Sequence, residues 1–288
     1  MSAETNRPAD NHVHSRWSWD TATTSSMELA CARAVEIGLP GLAFTEHVDF
    51  TEWSAADAEH LADPSAPPYR PTRVGPRHGV TLLDVDGYSA DLARCREAFP
   101  QLRILSGIEA GEPHLFPASV AAVLAAGDFQ RVLGSLHGIP DDGTLTAVDR
   151  ALFDKLGAHE LMRRYFAELV VLVSSSSVFN VLAHCDYPRR YWPTARVGAY
   201  AESAFEDEYR AVFRALASSG RALEINTYSP LSSAELIRWW WQEGGDAVSF
   251  GSDAHQPGRV GEHFDVAVDV VEAAGFRAGR DRFDFWRR

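Results

Sequence analysis

The chain has 288 residues, of which 45% are hydrophobic, enough for one large domain with a sizeable core. Its formal net charge of −13 argues against a general binder of nucleic acid or of anionic membranes. There is no 18-residue apolar run, no basic-plus-apolar leader and no Cys-x-x-Cys among Cys31, Cys95 and Cys185, so the expectation is a reduced, cytoplasmic protein without a membrane span.

Residues 1–9 are polar and predict a disordered tail ahead of one domain over 10–288. Residues 10–14 read as a short strand carrying Asn11-His12-Val13-His14. Alternate side chains of a strand share a face, so His12 and His14 would aim two imidazoles at one point. A helix follows over 27–37, with Leu29, Ala30, Ala34 and Ile37 at helical spacing and Gly38 as its C-cap. Residues 41–47 are apolar until the tip, Thr45-Glu46-His47, the pattern of a buried parallel strand. Residues 48–83 break the rhythm with five prolines between Pro64 and Pro76, a long loop excursion and not a missing helix.

The alternation then resumes. A helix is predicted over 84–99, a strand over 102–111 with Glu109 near its end, and a helix over 117–126 that opens on proline. A strand over 131–137 ends on His137, and Asp141-Asp142-Gly143 makes a turn. A helix over 158–174 leads to a strand over 178–184 ending on His184. A long helix over 199–218, a strand over 221–227 and a helix over 232–243 follow. Its Trp239-Trp240-Trp241 reads as packing of helix on sheet or an oligomer contact. A seventh strand over 247–253 runs into Asp253-Ala254-His255, and a last helix covers 261–274. Seven strands, each with a helix or excursion after it, predict an α/β fold: a distorted (β/α)7 TIM-like barrel in a single domain. The alternative, a doubly wound open sheet, lacks any Gly-x-Gly-x-x-Gly or Walker loop to support it.

In such a barrel every strand points its C-terminal end at one mouth, where active sites lie. His12, His14, Glu46, His47, Glu109, His137, His184, Asp253 and His255 fall at or near those ends, so six of the eleven histidines gather there with carboxylates. Capping of a strand end explains any one of them better than it explains the whole succession. The set exceeds what one tetrahedral zinc requires, and two or three ions with a bridging carboxylate such as Glu109 fit better. Mixed imidazole and carboxylate donors suit zinc, manganese or iron. Glu46 and Asp186 neighbour these positions, as carboxylates that orient an imidazole or as simple caps. Arg16, Arg189, Arg190 and Arg259 also stand beside them, and a guanidinium matches phosphate in a two-pronged fork. Trp17 and Trp19 could wall the pocket. His114 is the histidine outside these motifs placed to reach the mouth.

Taken together, His12-x-His14, Asp20, Thr45-Glu46-His47, Gly107-Ile-Glu109, Ser135-Leu-His137, Ala183-His184-Cys-Asp186 and Gly251-Ser-Asp253-Ala-His255 resemble the polymerase-and-histidinol-phosphatase (PHP) superfamily. The resemblance covers residues 10–275 and is nearest to the stand-alone histidinol-phosphate phosphatases. It implies a trinuclear metal site. His12, His14, Glu109 and Asp253 would hold one ion, Glu109, His137 and His184 the second, and Asp20, His47 and His255 the third. It implies a metal-dependent phosphomonoesterase that converts L-histidinol phosphate and water to L-histidinol and phosphate in histidine biosynthesis. Glu109, Asp253 and His255 would act in catalysis, with Asp186 a candidate acid for the leaving group. The Gly111-Glu-Pro-His114 and Gly138-Ile-Pro140 continuations and the proline-rich excursion depart from typical members, in segments where specificity would be set. Two other readings compete. A phosphodiesterase or nuclease of the same superfamily is disfavoured for long nucleic acid by the charge and by the lack of a basic, aromatic-studded groove. A small phosphorylated metabolite or nucleotide suits the site better. A non-catalytic metal-binding module is disfavoured by the intact ligand positions.

Overall fold

In the computed structural model, which describes residues 7–50, 83–279, 281 and 283–288, strand and helix alternate as the sequence predicts. The first half holds β1 (Asp10–Val13), α1 (Met27–Glu36), β2 (Gly41–Val48), α2 (Val85–Ala98), β3 (Arg103–Gly111), α3 (Pro117–Ala126) and β4 (Arg131–Ser135). A hairpin of β5 (Gly138–Asp141) and β6 (Thr144–Ala147) follows, then α4 (Arg150–Leu156) and α5 (Ala158–Ser175). The second half holds β7 (Val181–Leu182), α6 (Thr194–Val197), α7 (Glu206–Ser218), β8 (Ala222–Asn226), α8 (Ala234–Gln242), β9 (Ala247–Gly251), α9 (Phe264–Ala273) and β10 (Trp286–Arg287).

β1, β2, β3, β4, β7, β8 and β9 lie side by side in that order and run parallel, and β10 adds antiparallel to β9. Past the end of β9, Ala254 bridges Val13 in parallel, and His14 N donates to Ala254 O at 3.0 Å. The first strand therefore meets the last parallel one, and the sheet curls into a distorted TIM-like barrel. β2 is buried along its whole length, as a strand covered on both faces must be. The helices pack on it through one face each. On α5 that face is Leu161, Met162, Tyr165, Phe166, Leu169 and Leu172 at helical spacing. On α8, Trp239 and Trp240 are buried, and Trp240 donates Nε1–H to Ala247 O at 3.1 Å, which satisfies its one polar atom. No helix among the described residues is long and apolar enough to cross a membrane.

Several elements differ from expectation, among them the short helices α4 and α6, which the sequence reading did not predict. The fifth barrel strand, expected over 178–184, shrinks to Val181–Leu182, and just past it the His184 N–H turns to the Glu224 side chain of β8 instead of a backbone carbonyl. Asp142 and Gly143 both take left-handed φ values, 48° and 80°, and so close a tight hairpin with a short strand on each side of the expected turn. The helix expected over 199–218 starts as a 3-10 turn, Glu202–Phe205, before α7. β10 has no counterpart in the sequence prediction. At the N-terminus, Ala9 is buried and Arg7 Nη1 donates to Ile37 O at 2.6 Å, so residues 7–9 do not share the disorder expected of the tail. Residues 1–6 of that tail and 51–82 of the proline-rich excursion lie outside the described residues.

Candidate metal centre

The strand tips deliver the polar side chains to one point. His12 and His14 project from the same face of β1, with their Nε2 atoms 3.1 Å apart. With His12 Nδ1 donating to Glu224 and His14 Nδ1 to Ser18, the two rings, when neutral, face each other through Nε2 lone pairs, and neither can donate to the other. The register of β2 on β3 sets His47 beside Glu109. His137 and His184 follow two residues after the ends of β4 and β7. Asp253 follows two residues after β9 at φ 52°, a left-handed conformation that costs a non-glycine residue roughly 1 kcal/mol. That cost is accepted where surrounding contacts fix the side chain.

Glu109 sits at the middle, fully buried. Its Oε2 lies 3.1 Å from His47 Nδ1, 3.3 Å from His12 Nε2 and 3.5 Å from His14 Nε2. Its Oε1 lies 2.8 Å from His184 Nε2 and 3.2 Å from His137 Nε2. Asp253 Oδ1 closes the group at 3.2 Å from His14 Nε2 and 3.5 Å from His12 Nε2. On the outer side, Asp20 Oδ2 lies 2.9 Å from His255 Nε2 and 3.5 Å from His47 Nε2. Glu109 Oε2, His47 Nδ1 and both Asp20 oxygens are buried without a well-formed hydrogen bond. Polar atoms facing one another in this way, unsatisfied, fit cations placed between them. His12, His14 and Glu109 form one group of mutually close donors, His47, Glu109 and His137 a second, and His14, His47 and His255 a third. The nine side chains expected to bind metal are thus all brought together, with His14, His47 and Glu109 each shared between groups.

The charges fit the same picture. Burial alone would raise the Glu109 carboxyl, but His12, His137 and His47 hold it well below the usual carboxylate range. Burial, with His47 and His255 nearby, pushes His14 down to about 3, which keeps a neutral ring with a lone pair to give. Burial works against a charged His47, yet Asp20 and Glu109 outweigh it and hold that ring up at about 9.

Outside the nine, three carboxylates steady the rings. Glu224 Oε1 accepts from His12 Nδ1 at 2.6 Å. Ser18 Oγ accepts from His14 Nδ1 at 3.1 Å and donates to Glu46 Oε2 at 2.6 Å, so Glu46 acts on the centre through Ser18 and not directly. Asp49 Oδ2 accepts from Trp19 Nε1 at 2.7 Å, and its Oδ1 lies 3.4 Å from His137 Nδ1. Sequence reasoning missed Glu224 and Asp49. The available signals were an acid inside the apolar run Ala222-Leu-Glu-Ile225 and an acid two residues past His47.

A cavity of about 200 Å³ opens over the centre, lined by Trp19, Tyr187, Tyr191, Tyr228, Arg150 and Arg190 besides the candidate ligands. Of the four arginines expected near phosphate, Arg190 alone lines it. Its guanidinium reaches Asp253 Oδ2 at 2.5 Å, Ser229 Oγ at 2.6 Å and Asn226 Oδ1 at 3.3 Å, between the rings of Tyr187 and Tyr228. Arg189 points elsewhere, to Asp186 and Glu202 and over Tyr200. Arg259 pairs with Glu262, and Arg16 is exposed over Trp17. Asp186 accepts from Arg189 and from Tyr209 OH, in a buried pair that does not line the cavity, so it is misplaced for a leaving-group acid. His114 pairs with Glu168 on α5 at 2.7 Å and likewise does not line the cavity. Arg150, at the start of α4, lines the cavity and was not anticipated.

A family model described as the PHP domain matches residues 10–228. A protein named probable histidinol-phosphatase from Deinococcus radiodurans is 29% identical over 276 residues, covering 93% of this chain and 94% of its own. A histidinol-phosphatase from Lactococcus lactis is 26% identical over 280 residues, covering 93% and 91%. Among solved structures, a histidinol phosphate phosphatase from Lactococcus lactis, complexed with zinc, L-histidinol and phosphate, superposes with a TM-score of 0.74 at 22% identity. That superposition covers 94% of this chain and 95% of the other. A putative histidinol phosphatase from Listeria monocytogenes gives 0.67 at 15% identity, covering 90% and 99%. At these identities the solved structures speak to the fold.

Proposed function

The chain belongs to the PHP domain family, and from that premise we propose that it is a metal-dependent histidinol-phosphate phosphatase, hydrolysing L-histidinol phosphate to L-histidinol and phosphate. The observation that carries the reading is the buried Glu109 carboxylate ringed by imidazoles, with Arg190 held by Asp253 on the wall of the cavity that opens over it. The near-full-length likeness to proteins named histidinol-phosphatase supports the substrate. His12, His14, Glu109 and Asp253 would hold one divalent ion, Glu109, His137 and His184 a second, and Asp20, His47 and His255 a third. When bound, such ions supply Lewis acidity and a water acidified towards neutral pH.

The chain's own residues do the rest. Arg190 is fixed by Asp253, Ser229 and Asn226, so its remaining donors would meet a phosphate oxygen without reorganising. Arg150, on the rim of the same cavity, would face the phosphate from another side. Both would offset charge on the equatorial oxygens as the oxygen of the attacking water bonds to phosphorus, the bond to the leaving oxygen breaks and a proton from that water ends on the leaving alkoxide. Trp19 and Tyr191 line the cavity as aromatic surface for a cationic leaving group, which suits an amine and imidazole in a chain of net charge −13.

The test is a comparison of kcat/KM for histidinol phosphate and an aryl phosphate with added zinc or manganese. The expected result is a clear preference for histidinol phosphate. If it is hydrolysed no faster than the aryl ester while a nucleotide or sugar phosphate is far better, the histidine-biosynthesis assignment fails and only the phosphoesterase class stands. Arg190→Ala should cost about 2–4 kcal/mol of transition-state binding, read from kcat/KM.

A further inference from the structure

β8 supplies none of the nine candidate ligands, yet its polar residues reach four of the groups that build the centre. Glu224 and Asn226, two apart on the strand, share a face, and both are buried. Glu224 Oε1 accepts from His12 Nδ1 at 2.6 Å. Its Oε2 accepts from the backbone N–H of His184 at 2.6 Å and from Asn226 Nδ2 at 3.1 Å. Asn226 in turn lies 3.4 Å from Asp253 Oδ2 and accepts from Arg190 at 3.3 Å. His12 and His184 approach different oxygens of Glu109, Oε2 and Oε1. One carboxylate outside the centre thus grips a ring on one side of Glu109 and the backbone on the other. β9 leaves room for it with Gly251, where any Cβ would run into Glu224 Oε1.

We propose that Glu224 is a positioning residue: by setting the His12 ring and the His184 backbone together, it couples the two ion positions that share Glu109. The proposal rests on the metal centre proposed above. A hydrogen bond from His12 Nδ1 to Glu224 fixes the tautomer in which Nε2 carries the lone pair for an ion. Glu224→Gln tests this without changing shape. His184 N–H and the Asn226 amide both donate to the Oε2 position and would claim the new amide oxygen. The amide NH2 would then face His12 Nδ1, which can meet it only as an acceptor. That moves the His12 proton to Nε2 and removes the lone pair an ion needs.

The experiment is calorimetric titration of chelator-stripped protein with zinc alone, for wild type, Glu224→Gln and Leu223→Ala. Leu223 is the buried apolar neighbour of Glu224 on the same strand. Leu223→Ala should lower Tm while leaving zinc affinity unchanged. Glu224→Gln should weaken the two tightest zinc sites together, each about 10- to 100-fold. Wild-type zinc affinity in a folded Glu224→Gln protein overturns the proposal and leaves the metal centre standing. Loss at one site alone overturns the coupling. Wild type that binds no zinc overturns the metal centre itself, and the proposal with it. Should Glu224→Gln fail to fold, Glu224→Asp keeps the charge but is one methylene too short to span both partners. It should weaken zinc in the same direction, and unchanged affinity there also overturns the proposal.

Discussion

Glu109 shows how much one buried side chain can be asked to do. Its two oxygens face five imidazoles, all within 3.5 Å. Glu109→Gln keeps the volume but removes the charge and replaces one oxygen with an amide NH2 that has no lone pair to give an ion. The expected outcome is loss of at least one ion per chain by elemental analysis and a fall in turnover of about a hundredfold or more, with an unchanged far-ultraviolet circular dichroism spectrum. Asp10 makes the opposite case, a buried acid held by amides. Its oxygens accept from Ser252 N at 2.9 Å, Gly261 N at 2.9 Å and His12 N at 3.3 Å. Burial outweighs those bonds and pushes its carboxyl up from 3.8 to about 6. The folded state then holds the proton more tightly than the unfolded one, so this group's contribution falls as pH rises from about 4 to about 6. In chelator-treated protein, the unfolding free energy of wild type relative to Asp10→Asn should shift against wild type by on the order of 3 kcal/mol between pH 4 and 6.5. Urea unfolding at stepped pH measures it, and a flat difference would mean that Asp10 stays ionised throughout. Eight of the nine candidate ligands were legible because they fall at or near a strand tip, whereas Asp20, on a loop, was named only by the family resemblance. Glu224 was not legible, because an acid one residue from Leu223 and Ile225 reads as ordinary alternation until its partner His12, far off in sequence, comes into view.

The elements explain which neighbours of the motifs reach the mouth. Arg189 and Arg190 are adjacent in sequence, but Tyr187–Tyr191 is a 3-10 turn that rotates successive side chains by roughly a third of a circle. Arg190 therefore enters the cavity while Arg189 turns to Asp186 and Glu202. Adjacency to a motif could not separate the two, and it gave no hint of Arg150, which the unforeseen β5–β6 hairpin carries to the rim. Strand spacing is set as tightly. A Cβ at Gly251 would overlap the Glu224 carboxylate and come within 2.7 Å of His12 Cβ. Gly251→Ala should therefore cost about 1–3 kcal/mol of stability and weaken zinc binding at the same time. Thermal unfolding and a zinc titration check it, and a variant unchanged in both would show that β8 and β9 can part without harm.

For the whole molecule, sign of charge and location of charge pull in different directions. A net −13 disfavours polyanions at a distance, while bound ions together with Arg150 and Arg190 would reverse the sign within one small cavity that Asp20, Glu109 and Asp253 also line. The alternation of strands and helices made the barrel readable, because apolar runs at regular intervals leave few other ways to bury themselves. Its closure was not readable: the contact of Val13 with Ala254 depends on the curl accumulated over every strand between.

That closure has a kinetic meaning. His12 and His14 stand near one end of the chain and Asp253 and His255 near the other, so no partly built barrel contains a complete set of donors. Contacts so distant in sequence form late, since the entropy of bringing the ends together is lost before anything is gained. An ion that needs donors from both ends binds the finished ring and nothing earlier. It then acts as a latch by mass action, adding about 2.7 kcal/mol when free ion stands at a hundred times its dissociation constant. The supply of metal would thus govern how long the ring stays shut as well as how fast it works.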